Sequence, residues 1–126
     1  MLFRSWAKRY GLPWKMNPVF PQNTLRALRL ALLARQHGVF EPVHRALFAA
    51  IWEQQKDLSE QDVLAEIAAE SGLALEEIEN TAIKDELKAN TDEAIERGAF
   101  GAPTFFIGDQ MFFGNDRFDF IRETIA

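Results

Sequence analysis

Apolar residues keep two rhythms along this chain, and the change from one to the other divides it. In the earlier part they recur at three- and four-residue steps, the spacing of a helix face. Leu2, Phe3, Trp6 and Tyr10 predict a short first helix that Gly11 and Pro13 end. From Gly11 to Gln22, Pro13, Pro18 and Pro21 forbid a regular element, so Trp14, Lys15, Met16, Asn17 and Phe20 ride on an extended loop packed against something. Asn23 or Thr24 caps a second helix reaching about Gln36, with Leu25, Leu28 and Leu32 on one stripe and Leu30 and Leu33 widening it. Gly38 stops it.

The helical rhythm continues. Pro42 suits a first helical turn, and Val43, Leu47, Ala50 and Ile51 form the next buried face. Ser59 with Asp62 resembles a capping box before Val63, Leu64 and Ile67, and Ser71-Gly72 closes that helix. Glu76 to Asn80 predicts a brief helical turn. Ile83, Leu87, Ala94 and Ile95 trace a longer helix to Arg97-Gly98, and a last one runs from about Asp116 to Ile125 with Phe118, Ile121 and Ile125 at helical spacing.

Between these last two helices the period shortens. Thr104 to Ile107 and Met111 to Phe113 are compact β-prone runs around Gly108-Asp109-Gln110, a glycine-containing connection that predicts a hairpin. Pro103 precedes the first strand, where an X-Pro bond takes the cis form at a cost of about 0.5 to 1 kcal/mol. Seven of the eleven phenylalanines lie from Phe100 onward, and Phe105, Phe106, Phe112 and Phe113 place aromatics on both faces of the hairpin. An isolated two-stranded hairpin is at best marginally stable, so this one needs cover. The organisation expected is a helical block over residues 1–97 and a strand-strand-helix part over residues 98–126.

Composition narrows the function classes. At 126 residues and a net charge of −5, the chain suits one compact domain with a genuine core. No basic run interleaves with aromatics, which argues against nucleic acid as a partner. The absence of cysteine excludes disulfides, thiol redox chemistry and thiolate metal sites within these residues. The opening residues carry charges every few positions and no apolar core, so neither a signal peptide nor a membrane span is expected, and the cytoplasm is the default location.

The run G-A-F-G-A-P-T-F-F-I-G from Gly98, followed by M-F-F-G-N-D-R-F-D-F-I, resembles the C-terminal half of the 2-hydroxychromene-2-carboxylate isomerases and the kappa-class glutathione transferases. The upstream run R-S-W-A-K-R-Y-G-L-P-W, then N-P-V-F-P-Q-N-T-L-R-A-L-R, is similar to the segment leading into their helical insertion. The resemblance implies an α/β thioredoxin-like fold of the DsbA and kappa type, mostly α here. It implies glutathione as cofactor and an aromatic-degradation carboxylate as substrate, in a glutathione-dependent cis-trans isomerisation. It also implies a strand-helix-strand unit with a nucleophilic Ser or Cys, expected to be missing here, so no catalytic residue is identifiable. A homo-oligomer or a strand-completing partner is the expected remedy for the open hairpin.

Candidate site residues divide by how they are read. By resemblance, Ala102 beside Pro103 holds the cysteinyl unit of glutathione through its backbone, and Asn115 and Asp116 receive the γ-glutamyl end. Read from the residues alone, Asp116 with Asp119 satisfies the first N–H groups of the last helix. Lys15, Asn17 and Asn23 suit a substrate carboxylate by type. Arg26 and Arg29 are read as solvated charge, as is the acidic run from Leu75 to Asp85. His37 and His44 have no third ligand at metal spacing, so no metal is expected. A DsbA-like disulfide oxidoreductase and a non-catalytic assembly module are the competing readings.

Overall fold

A computed structural model describes residues 2–126. Six α-helices, a 3₁₀ helix and one hairpin follow in order: α1 (Leu2–Tyr10), α2 (Leu25–Gln36), α3 (Phe40–Trp52), α4 (Gln61–Glu70), the 3₁₀ helix (Leu75–Glu79), α5 (Thr81–Glu96), β1 (Thr104–Ile107), β2 (Gln110–Phe113) and α6 (Phe118–Ile125). The chain forms two compact units, Met1–Leu87 and Lys88–Ala126, with the division inside α5.

The first unit holds the helical core. Leu30, Val43, Leu64, Ile78 and Ile83 are each at most 2 % exposed and belong to one continuous apolar cluster. The buried face of α3 is the expected one, Val43, Leu47, Ala50 and Ile51. That of α2 is not. Ala27, Leu30, Leu33 and Ala34 point inward, while Leu25 and Leu28 are exposed and Leu32 is half-buried. Leucines circle this helix, so periodicity alone is degenerate, and the small Ala27 and Ala34 mark the side where another helix can come close.

Two expected caps are also corrected. Helix α4 starts after Glu60 with no side-chain cap, because the Ser59 hydroxyl donates instead to the Asp57 carboxylate at 2.7 Å. At α2 the flanking residue is Thr24, again with no side-chain cap, yet Asn23 Oδ1 accepts from the Leu25 N–H at 3.1 Å and orders the first turn. The acidic run is not merely solvated. Glu79 draws Arg26, Arg29 and Lys84 together at 3.6, 3.6 and 2.8 Å, tying α2 and α5 to the 3₁₀ helix while Leu75 and Ile78 turn inward.

The second unit is the hairpin and its helix. The strands pair antiparallel with Thr104 opposite Phe113 and Ile107 opposite Gln110, so the loop is the two residues Gly108 and Asp109, and Gln110 belongs to β2. Gly108 has φ +57°, which glycine adopts without steric cost at the first position of such a loop. Arg97 steadies this loop: its Nη2 donates to the Gly108 carbonyl at 2.6 Å, and its guanidinium lies 4.0 Å from the Phe106 ring centroid. Helix α6 packs on β1 through Phe105 and Phe118, whose centroids are 5.3 Å apart, and Ile121 is its buried residue.

Candidate ligand-binding sites

One candidate site lies at the open end of the hairpin. The Ala102-Pro103 peptide is cis, as the sequence predicts, and a second cis bond, Phe20-Pro21, was not anticipated. The Gly114 N–H donates to the Pro103 carbonyl at 2.9 Å, which extends the ladder one pair beyond Thr104 and Phe113. Continuing that register sets Ala102 across from Asn115. Neither the N–H nor the C=O of Ala102 has a partner among the described residues, and Ala102 is exposed. A free donor and acceptor at the end of a ladder accept an extended peptide in strand-like pairing.

Asp116 completes this end of the hairpin. Gly114 sits at φ +110°, and a Cβ placed there would meet Asp116 Oδ1 at 2.6 Å, so glycine is what lets the carboxylate fold back beside the strand end. Its other contact is Arg117, at 3.2 Å. The expected capping role is corrected: α6 begins at Phe118, two residues later than the sequence suggests, the cap position is Arg117, and no side chain caps it. The carboxylate is therefore not consumed by the helix start. The Gly114 to Pro103 hydrogen bond sets the Ala102-Pro103 and Asn115-Asp116 segments at the same end of the hairpin, with Asn115 half-buried.

The loop residues fare differently. Asn17 is 2 % exposed, with its Nδ2 donating to the carbonyls of Ile51 at 2.9 Å and Lys56 at 2.8 Å while its Oδ1 accepts from the Val19 N–H at 2.9 Å. Its polar atoms are spent on backbone. Asn23 is occupied at the start of α2, and Lys15 donates its backbone N–H to the Trp52 carbonyl at 2.6 Å while its side chain stays exposed. Gln22 and Gln55 add further ties, to Val19, Lys56 and Leu58 and to Met16. The structure thus gives Asn17 and Asn23 the work of fixing the loop.

That fixed loop walls a cavity missed by sequence reasoning. About 700 Å³ in volume, it lies in the first unit between α1, the loop and α3. Trp14 and Trp52 lie nearly parallel, with centroids 6.4 Å apart, and Phe20 lies 5.8 Å from Trp52. His44 and Arg45 line it at one end of the α3 stripe and Glu53 at the other. The available signal was the loop's two large aromatics together with Phe48 and Trp52, four residues apart on α3. Among the described residues no group of His, Cys, Asp or Glu is arranged to hold a metal, and no helix is long and apolar enough to cross a membrane.

Two carboxyl groups are perturbed, both downward and both structural. A hydrogen bond from the Ser59 hydroxyl, then one from the Ser59 N–H, holds Asp57 low, and the hydrogen bond from Lys84 does the same for Glu79. Neither belongs to the hairpin end or the cavity.

Comparison with known proteins adds three findings. The DSBA-like thioredoxin domain matches over residues 2–126. A 2-hydroxychromene-2-carboxylate isomerase from Sphingobium xenophagum is 32% identical over 93% of this chain and 61% of its own length, and glutathione S-transferase kappa 1 from Rattus norvegicus is 29% identical over 79% and 50%. A solved 2-hydroxychromene-2-carboxylate isomerase superposes with a TM-score of 0.76 at 25% identity, covering 97% of this chain and 61% of that one. The chain thus spans between half and two-thirds of the length of these relatives.

Proposed function

The chain belongs to the family of DSBA-like thioredoxin domains, and from that premise we propose that it contributes a glutathione site to a cis-trans isomerase acting on an aromatic carboxylate. The observation carrying this reading is the unpaired Ala102 backbone beside a carboxylate that caps no helix. These groups fit the two halves of the tripeptide. Ala102 offers its N–H and C=O to the cysteinyl unit, as an edge strand accepts a peptide. Asp116 accepts from the γ-glutamyl ammonium in a charge-assisted hydrogen bond, with Asn115 alongside.

Bound glutathione supplies a thiol that adds reversibly to a conjugated double bond and so permits rotation about it. The chain's own residues bind and orient. Ala102 fixes the peptide's direction, and Asp116 fixes its far end. Within this reading residues 1–97 serve as the helical insertion with its lead-in, and residues 98–126 as the strand-strand-helix part whose free edge pairs with further strands of a thioredoxin sheet. Of the loop residues, Lys15 is the one left to meet a substrate carboxylate. That the matching relatives are named isomerases and glutathione transferases sets the disulfide oxidoreductase reading behind this one.

Asp116→Ala tests the assignment. One charge-assisted hydrogen bond is worth about 1.5 to 3 kcal/mol, so glutathione affinity falls about tenfold or more. Thermal stability stays nearly unchanged, because the carboxylate caps nothing. Unchanged affinity measured by calorimetry would remove Asp116 from the site.

A further inference from the structure

The cavity in the first unit is walled by phenyl and indole side chains, those of Phe3, Trp14, Phe20, Phe48 and Trp52. The face of such a ring carries negative potential from its π electrons, and a cation within about 6 Å of the centroid is attracted to it. One of these rings already holds a cation of the chain itself, since the Arg4 guanidinium lies 5.4 Å from the Trp14 centroid. Phe20 and Phe48 are 55% and 57% exposed, so ring surface remains open to a ligand.

The charged groups lining the cavity favour the same sign of ligand. Arg45 donates from Nε and Nη2 to one Glu41 oxygen, at 3.1 and 2.7 Å, so its charge comes with a counter-charge. The His44 ring is stacked on Phe40, with centroids 5.1 Å apart. The Glu53 carboxylate makes no hydrogen bond or ion pair with the described residues. It stands at the C-terminal end of α3, whose last turn has no basic residue and whose dipole is negative there. The uncompensated charge of the cavity is therefore negative. We infer that this cavity binds an organic cation, a quaternary ammonium head carried on an apolar body. The head lies among the ring faces with Glu53 as its counter-charge, as aromatic cages hold such groups. The body fills the rest of about 700 Å³, a volume ordinary for a small-molecule site. The site takes the opposite charge to the carboxylate ligands proposed above and rests on none of that reading.

Isothermal titration of the whole 126-residue chain with benzyltrimethylammonium, in the absence of glutathione, tests this. One-site binding with a dissociation constant below about 1 mM is expected. Phenylacetate, with the opposite charge on a similar ring, binds about tenfold more weakly or not at all. Glu53→Gln weakens binding of the cation about fivefold or more, and Phe48→Leu, which keeps an apolar side chain but loses the ring face, about threefold. Both positions are exposed, so the variants keep their helical circular dichroism. Arg45→Gln and Arg4→Gln do not weaken it, because each removes a competing positive charge. Absence of heat in the millimolar range, phenylacetate bound as tightly as the cation, or affinity indifferent to both Glu53→Gln and Phe48→Leu overturns the inference.

Discussion

At Asn17 one side chain decides where a twelve-residue stretch, 11–22, runs. Its amide joins the ends of α3 and of the following loop, and its oxygen takes the Val19 N–H, so all three bonds close around one buried group. Removing it leaves the Ile51 carbonyl and the Val19 N–H short of a partner, while the Lys56 carbonyl keeps its bond from Gln22 at 3.0 Å, at about 1 to 3 kcal/mol for each group left buried and unsatisfied. Asn17→Ala is therefore expected to lower the unfolding free energy by about 2 kcal/mol or more in urea titration. It also loosens the wall formed by Trp14 and Phe20. An equally stable variant with an undisturbed Trp environment would show the loop to be held by its aromatics instead. Sequence supplied the residue type at this position but not its direction. A polar side chain on a proline-rich loop reads the same whether it faces a ligand or the protein's own backbone. The cis Ala102-Pro103 bond was legible for the opposite reason, since it is a main-chain feature at a proline whose position the motif determines.

Among the elements, α3 was readable and α2 was not, and the contrast is physical. In α3 the apolar residues leave a polar face with Glu41 and Arg45, so one orientation is favoured. Helix α2 has leucine on every side, and the charges that orient it, Arg26 and Arg29, are fixed from outside by Glu79. That carboxylate makes the junction of α2, the 3₁₀ helix and α5 sensitive to acid. Its pKa is depressed in the folded chain, chiefly by the Lys84 hydrogen bond, below an ordinary value of 4.5. A depressed carboxyl contributes its stability in full above the unfolded value, and loses it as pH falls through the folded one. Glu79→Gln should then melt at a lower temperature than the wild type at neutral pH, and the gap should close as the pH is taken well below 4.5. A gap independent of pH would assign the effect to packing. The hairpin was legible because β-prone runs and a glycine turn encode it locally, apart from its loop length. The antiparallel register that starts β2 at Gln110 depends on cross-strand pairing.

For the whole molecule, fold class came from motif and rhythm together, and the match over residues 2–126 agrees with it. The aromatics of the cavity stood in the sequence, but their assembly did not, because its walls come from α1, the loop and α3, and hydrogen bonds tie the loop to the end of α3. Exposed Phe100, Phe113, Phe118 and Phe120 bear out the expectation that residues 98–126 carry more apolar surface than their own helix covers. The central claim is the proposed glutathione site at the open end of the hairpin. The most direct measurement is a two-dimensional amide spectrum of this chain, recorded without and with millimolar glutathione. The account predicts dispersed peaks, with shifts concentrated at Ala102, Thr104, Asn115 and Asp116. A dispersed spectrum that glutathione leaves unchanged, or one that shifts only elsewhere, would contradict it.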